Sequence, residues 1–563
     1  MPFSYTVSID GNINNTIRKS LESLSDTIAL KNKPPETLSL LEIRAQADKA
    51  HFQAVLADLG YYDAQVTVSI NTHSTPVVIH YIIDTGQAFR FRSFAITGSN
   101  SNIILPTFTE LGLVKGQIAR ADIIASADDK LLTALYNQGY PFALTDEPAL
   151  VVDYLSHSID VTYAVEPGTR MAFGDTIIRG LTSLKESFVR RRIPWKKGQI
   201  YNPKQIAALD KTLTNSGLFS IITISNEKSS ANSNLLTMII TLKERLPHTI
   251  KAEIDYSTDT KLGTIFLWEH RNLEHNGDDL QATANISTVV QSAGIVYKKP
   301  DFYALNNTLR EGLELIGEHT DSYDSRTITP SIGIEHKITD QLSIGMGGGY
   351  RIDDVTQLAV TKYYNFLDFP FYITDDRRNN LYDPTKGGNY NASITPFFSM
   401  QESGSSFIKS NISATHYIML MDKPSLVLAG RAGIGSIMGS PVDNIPANLR
   451  FYAGGATSVR GYGYKTLSPE MDGIAIGGSS LLEFSAELRE RINDKIGAVT
   501  FIDAGNSFAS PLPSWAEKLL FGVGVGIRYY TVIAPIRFDV AIPLDKVPGQ
   551  ARYQLYFSLG QAF

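Results

Sequence analysis

From about Pro247 to the end of the chain, apolar and polar residues alternate in short runs separated by Gly, Asn and Asp turns. Ile250, Ala252, Ile254 and Tyr256 alternate with Lys251, Glu253 and Asp255, and Phe521, Val523, Val525 and Ile527 with Gly522, Gly524, Gly526 and Arg528. Ile536, Phe538, Val540 and Ile542 alternate with Arg537, Asp539 and Ala541, and Tyr553, Leu555, Phe557 and Leu559 with Gln554, Tyr556 and Ser558. A period of two puts each set on its own face of a β-strand, so these runs predict strands with one apolar face. Two further runs carry a carboxylate on the polar face: Glu487 within Leu481–Arg491 and Asp503 within Ala498–Phe508. A soluble sandwich also alternates, but its polar face meets water and its apolar face a second sheet. At roughly twenty residues per strand and connection, residues 247–563 make about sixteen strands, which suits one closed transmembrane barrel of the bacterial type.

Before Pro247 the pattern is helical in places and repeats. Leu56…Gly60-Tyr61-Tyr62, Leu135…Gly139-Tyr140-Pro141-Phe142 and Leu213…Gly217-Leu218-Phe219 form one helix-end unit, with glycines 79 and 78 residues apart. Phe91…Gly98 matches Phe173…Gly180, and Lys115-Gly116-Gln117-Ile118 matches Lys197-Gly198-Gln199-Ile200, each offset by 82. In the second repeat, residues 91–97 read as a strand, Gly98-Ser99-Asn100 as a turn, and 101–112 and 121–138 as helices, with Gly139 ending the second. Strands follow near 149–153 and 158–165. The predicted organisation is α+β then all-β: three βααββ repeats at 1–86, 87–168 and 169–246, followed by an antiparallel transmembrane barrel at 247–563.

Composition narrows the function. A net charge of −6 gives no basic footprint for nucleic acid. The absence of cysteine excludes thiol catalysis, thiolate metal sites and disulfides, and suits an oxidising compartment. Mean hydropathy is −0.07. No apolar run reaches the roughly eighteen residues of a membrane helix, which leaves a barrel open because barrel hydropathy averages out. The start, Met1 to Val7, has neither a basic n-region nor an apolar h-region, so an exported protein would be read here as a mature chain with its signal removed. HExxH, GxSxG and GxxxxGK[ST] are absent, and the Gly345–Gly349 cluster falls in a strand-like run. No catalytic residue, metal ligand or cofactor is therefore assigned. Arg190, Arg191, Arg192, Lys196 and Lys197 read as a solvated or interfacial face.

Arg450 to Pro469, RFYAGGATSVRGYGYKTLSP, lies in a connection from about Gly439 to Gly473. That far exceeds the roughly 12–15 residues at which an unstructured loop in a compact domain needs a functional reason. Val459-Arg460-Gly461-Tyr462 resembles the loop signature of the outer-membrane assembly superfamily that contains BamA, TamA and the two-partner secretion transporters. Phe501 to Gly505 resembles its Phe-x-Asp-x-Gly strand, and Glu487, nine residues after Gly478, its strand glutamate. The longer match AGGATSVRGYGYKTLSP, with Leu381 to Gly388, is most similar to the TamA branch, the translocation and assembly module. The threefold repeat resembles polypeptide-transport-associated (POTRA) domains, of which three are expected in that branch. Phe563, after the last strand, resembles the C-terminal signal by which bacterial barrels are recognised for insertion.

The resemblance implies a barrel in the outer membrane of a Gram-negative bacterium, with the repeats in the periplasm. It implies insertion or secretion of autotransporter-like and other outer-membrane proteins, without bond chemistry. The implied partners are a TamB-like periplasmic protein, unfolded outer-membrane protein clients and outer-membrane lipid. A lateral seam is expected between Ile250–Tyr256 and Tyr553–Leu559, where a client strand pairs. The alternatives are a dedicated two-partner secretion pore, phospholipid transport with TamB, and a passive porin or barrel enzyme. Arg460 is expected to turn back into a wet lumen and meet Glu487 and Asp503, at an energy between the limits for exposed and buried ion pairs.

Overall fold

The computed structural model describes residues 4–98, 103–229, 234–402, 404–514 and 517–563. They form two compact units, Met1–Gly180 with Val189–Lys243, and Leu181–Phe188 with Glu244–Phe563.

The first unit contains strand–helix–strand–strand modules. In the first, Val77–Asp84 is the central strand, parallel to Tyr5–Gly11 and antiparallel to Gln65–Asn71. The helix Leu38–Asp58 buries Leu41, Ala45, Phe52 and Leu56 from one face, against a core that includes Ile79, Tyr81 and Ile83. The second module repeats this with Ser158–Glu166 between Arg90–Thr97 and Ala149–Asp153, and the helix Ala121–Asn137. Of the helix expected over 101–112, residues 101 and 102 lie outside the described residues, and among the described ones the helix is Phe108–Leu111. Pro106 biases the residue before it away from the helical region, and Thr107 and Glu110 then form a capping box. The expected turn residues Ser99 and Asn100 lie outside the described residues. A third set follows the same order: Ala172–Arg179, the helix Pro203–Asn215, Phe219–Lys228 and the central Leu235–Glu244.

Leu181–Phe188, within the third repeat in sequence, groups with the second unit. The Glu244 carboxylate accepts from the backbone N–H of Thr182 (2.8 Å), Ser183 (3.1 Å) and Leu184 (3.0 Å), and from both hydroxyls. Lys185 N–H donates to His275 O at 2.9 Å, and Asn272 Nδ2 to Ser183 Oγ at 2.9 Å, fixing this segment on the turn after the second barrel strand. Burial would raise the Glu244 pKa, but the donors of Ser183, Leu184 and Thr182 outweigh it and hold it at about 2. Its folded pKa thus lies below its ordinary 4.5, so this stabilisation is complete above about pH 4.5 and is lost as pH falls toward 2. Hydrogen exchange at Thr182–Leu184 should be slower than in Glu244→Ala at neutral pH, with the two converging on acidification through that window.

The second unit is a closed antiparallel barrel of sixteen strands, from His248–Ser257 to Gln554–Leu559. One strand is split into Val360–Asp368 and Phe371–Asp376, both pairing with Leu342–Gln357. The break falls at Phe369-Pro370, where proline cannot donate to a ladder. Ile250, Ile295, Leu313, Ile394, Phe484, Ile502 and Val525 are exposed on the outside, whereas Glu487, Asp503, Arg528 and Asp539 are buried inside. Apolar outside and charged inside is the arrangement of a lipid-embedded barrel, the reverse of a sandwich. No helix among the described residues is long and apolar enough to cross a membrane; a barrel crosses with strands.

The closure is short. Among the described residues, the first and last strands pair at Tyr256 with Phe557 and Ser257 with Tyr556. The first and second strands, in contrast, pair from His248 with His270 through Ser257 with Lys261. Of the residues expected at the seam, Ile250, Ala252, Ile254 and Leu559 have no ladder partner across it, and Tyr553 precedes the last strand. Leu555 joins through Thr258 alone: its carbonyl accepts from Thr258 N–H at 3.0 Å and its N–H donates to Thr258 Oγ1 at 3.0 Å. The seam is shorter than Ile250–Tyr256 against Tyr553–Leu559 because its ladder ends at Phe557, while Ser558 and Leu559 stay paired only with the preceding strand and the chain then turns at Gly560. Phe563, after that strand, packs near Tyr417 and Arg489.

Candidate functional site

The connection between strands Ser425–Met438 and Ser480–Arg491 is ordered, with short helical turns at Val442–Asn444 and Ala447–Leu449 and a hairpin of Glu470–Met471 with Ile474–Ala475. It buries Ile445, Leu449, Phe451, Ala453, Val459, Tyr462 and Leu467. At its centre Arg460 meets Asp503 in a two-pronged contact, Nε to Oδ2 at 2.7 Å and Nη2 to Oδ1 at 2.9 Å, while its backbone N–H donates to Oδ2 at 3.1 Å. Nη1 donates to Glu487 Oε1 at 2.6 Å and to Asp539 Oδ2 at 3.3 Å. The guanidinium carbon lies 3.4 Å from the centroid of the Phe501 ring. Burial alone would lower the Arg460 pKa, but Glu487, Asp503 and Asp539 together raise it above its ordinary value.

Each motif residue has a separate task. Val459 occupies the space left by Gly505, where a Cβ would come within 2.9 Å of Val459 Cγ2. Gly461 lies against the backbone of Ile542, and its N–H donates to Tyr556 Oη at 3.0 Å. Tyr462 Oη is 3.0 Å from Phe521 O and 3.1 Å from Asp545 O. In the strand motif, Phe501 supports the guanidinium, Asp503 pairs with it, and Gly505 admits Val459; the three point the same way because the strand period is two. The alternating glycines of Leu520–Tyr530 have the same origin. A Cβ at Gly522 would sit 1.9 Å from Arg460 O, and one at Gly524 would sit 2.3 Å from the Phe501 ring.

The site is drier and larger than the sequence alone suggests. Arg460 is 2% exposed, Glu487 1% and Asp503 0%, because the loop, Phe501 and Tyr556 fill the lumen around them. Glu487 also binds Arg489 through Oε2 (2.7 Å), and Asp539 binds Arg528 and, at 3.2 Å, Arg537. Arg528, Arg537 and Asp539 were detectable as polar positions in alternating strands, though their mutual contacts were not. A further fastening joins the opposite wall: Lys465 Nζ donates to Glu318 Oε1 at 2.9 Å and Tyr323 Oη at 2.5 Å, and Asn448 Nδ2 to Asp353 Oδ1 at 2.8 Å. The loop therefore spans the barrel interior. Elsewhere, Asp26, Asp48 and His51 place ligand atoms within 4.8 Å of one another. Asp48 is already committed to the Asp26 and Thr27 N–H groups and to the Ser25, Thr27 and Tyr81 hydroxyls, which marks it as a structural knot.

The Omp85 superfamily domain matches residues 272–563, more than half of the chain. The chain belongs to the Omp85 superfamily. Residues 172–245 of this Omp85 protein match the surface antigen variable number repeat, a POTRA domain. The chain is 22% identical over 549 residues to the outer membrane protein assembly factor BamA of Nitratidesulfovibrio vulgaris, covering 92% of this chain and 68% of the relative. In fold it is similar to BamA from Haemophilus ducreyi lacking POTRA domains 1–3 (TM-score 0.69, 17% identity, 84% of this chain and 100% of that one). It is also similar to CdiB from Acinetobacter baumannii (TM-score 0.50, 13% identity, 84% and 90%). An Omp85 chain of this architecture is an outer-membrane barrel of the protein assembly and secretion class. The Val459–Tyr462 loop, Glu487 and Asp503 all fall within the matched domain.

Proposed function

We propose that this Omp85 protein is a TamA-like assembly factor, which helps insert or secrete autotransporter-like and other outer-membrane proteins through a laterally opening barrel. In this reading all three modules are POTRA domains in the periplasm, where they meet unfolded clients and a TamB-like partner. The observation that carries the reading is the short seam. A closed barrel has no free strand edge, yet here the first strand from Ile250 to Ile254 lacks a ladder partner on the seam side. Such an edge can accept an incoming strand by β-augmentation. The work is pairing rather than bond chemistry, so the protein is not an enzyme: the buried carboxylates at Arg460 are held by guanidinium groups and serve to fix the loop. The second reading is a dedicated two-partner secretion pore. Phospholipid transport with TamB would use the same seam.

The test is reconstitution. Vesicles containing the full chain should insert a urea-unfolded outer-membrane client, scored as protease-resistant, heat-modifiable product, faster than protein-free vesicles; equal rates would refute the assembly reading. Co-purification from native outer membranes should recover a TamB-like protein, whereas recovery of one exported cargo would select the secretion pore.

A further inference from the structure

After Leu559 the chain does not continue along the seam. Gly560 adopts φ +90°, a left-handed conformation that favours glycine, and its N–H donates to Pro535 O at 2.7 Å. Gln561 Nε2 then donates to Asp383 Oδ1 at 2.9 Å, and Gln561 Oε1 accepts from Arg528 Nε at 2.8 Å. Phe563 O accepts from Arg489 Nη2 at 3.3 Å, and the Phe563 ring centroid lies 5.1 Å from the Arg489 guanidinium carbon. Arg431 also stands over the Phe563 ring, at 5.9 Å from its centroid, but the two arginines that hydrogen-bond this segment, Arg489 and Arg528, each share a carboxylate with Arg460. Glu487 bridges Arg460 (2.6 Å) and Arg489 (2.7 Å), and Asp539 bridges Arg460 (3.3 Å) and Arg528. All five side chains are buried.

We propose that these two carboxylate-bridged arginine pairs couple the lumen loop to the seating of residues Gly560–Phe563, so that Arg460 in place keeps the segment turned inward and the seam short. Arg489 and Arg528 are positioning residues. They act through the segment they hold, and their own orientation is set by carboxylates that Arg460 fixes. Ladder register gives the alternative position. With Tyr256 opposite Phe557, a straightened segment would bring Phe563 opposite Ile250 and cover the free edge. Inward segment and covered edge are thus mutually exclusive, and this consequence for the seam rests on the lateral-opening reading above. The coupling itself does not.

The test uses the full chain in lipid nanodiscs with Ala562→Cys as a single thiol, the native sequence having none. Adding Arg460→Met should speed labelling by a bulky maleimide about fivefold or more, the usual lower range for coupled sites. Lys465→Met, which frees the loop only at the opposite wall, should leave the rate unchanged. Coupling is reciprocal, so Arg489→Met should speed hydrogen exchange at the Arg460 and Gly461 amides. If Arg460→Met fails to give a folded barrel, this reverse measurement decides. Labelling at the parental rate in Arg460→Met, equal acceleration by Lys465→Met, or unaltered loop exchange in Arg489→Met would each overturn the proposal. None of these readouts uses assembly activity, so failure here would leave the seam reading standing.

Discussion

Arg460→Ala should release the lumen loop and abolish assembly while leaving the barrel and the modules folded. The substitution leaves Asp503 without a guanidinium partner, beside Glu487 and Asp539 that keep only Arg489, Arg528 and Arg537, with all three carboxylates at 2% exposure or less. Removing one partner of a buried ion pair costs on the order of 3–5 kcal/mol, against about 0–1 for an exposed pair. The dry surroundings place this site at the upper limit, and lost stacking on Phe501 adds to it. The loop, not the barrel, should yield, because the ladders of the flanking strands do not depend on Arg460. Lysine can meet one carboxylate but cannot form the two-pronged contact with Asp503, so Arg460→Lys should recover only part of the function. The check is protease cleavage within residues 452–466 on intact membranes: rapid in Arg460→Ala, intermediate in Arg460→Lys, slow in the parent. Full protection in Arg460→Ala would mean that the remaining fastenings, those of Gly461, Tyr462, Lys465 and Asn448 among them, hold the loop without it.

Much of this was legible because its causes are local or periodic. The recurrent Gly-aromatic ends at Gly60, Gly139 and Gly217 mark helix termini, and period-two runs mark strands whichever way the barrel curves. Arg460, Glu487 and Asp503 could be grouped because a motif resemblance joined them; spacing alone gives only their faces. What escaped depends on three-dimensional closure. Lys465 and Glu318 are 147 residues apart with no pattern to relate them. Dryness at Arg460 arises from several segments filling one space, Tyr556 among them, and each looks ordinary alone. Seam length is not legible because alternation persists through Tyr553–Leu559, although the ladder across the seam ends at Phe557, ahead of the turn at Gly560. The short Phe108–Leu111 helix was a local miss, and Pro106 was its available signal.

Locking the seam tests the central claim most directly. Tyr256 and Phe557 are paired across it and both exposed on the outside, so cysteines there can bridge without disturbing the lumen network. Tyr256→Cys/Phe557→Cys should oxidise readily, and no native thiol competes. If client strands enter by separating the first and last strands, the oxidised protein should lose nearly all client insertion in reconstituted vesicles. Reduction should restore it, and each single variant should retain parental activity. Undiminished insertion with the seam quantitatively cross-linked would contradict lateral opening at this site.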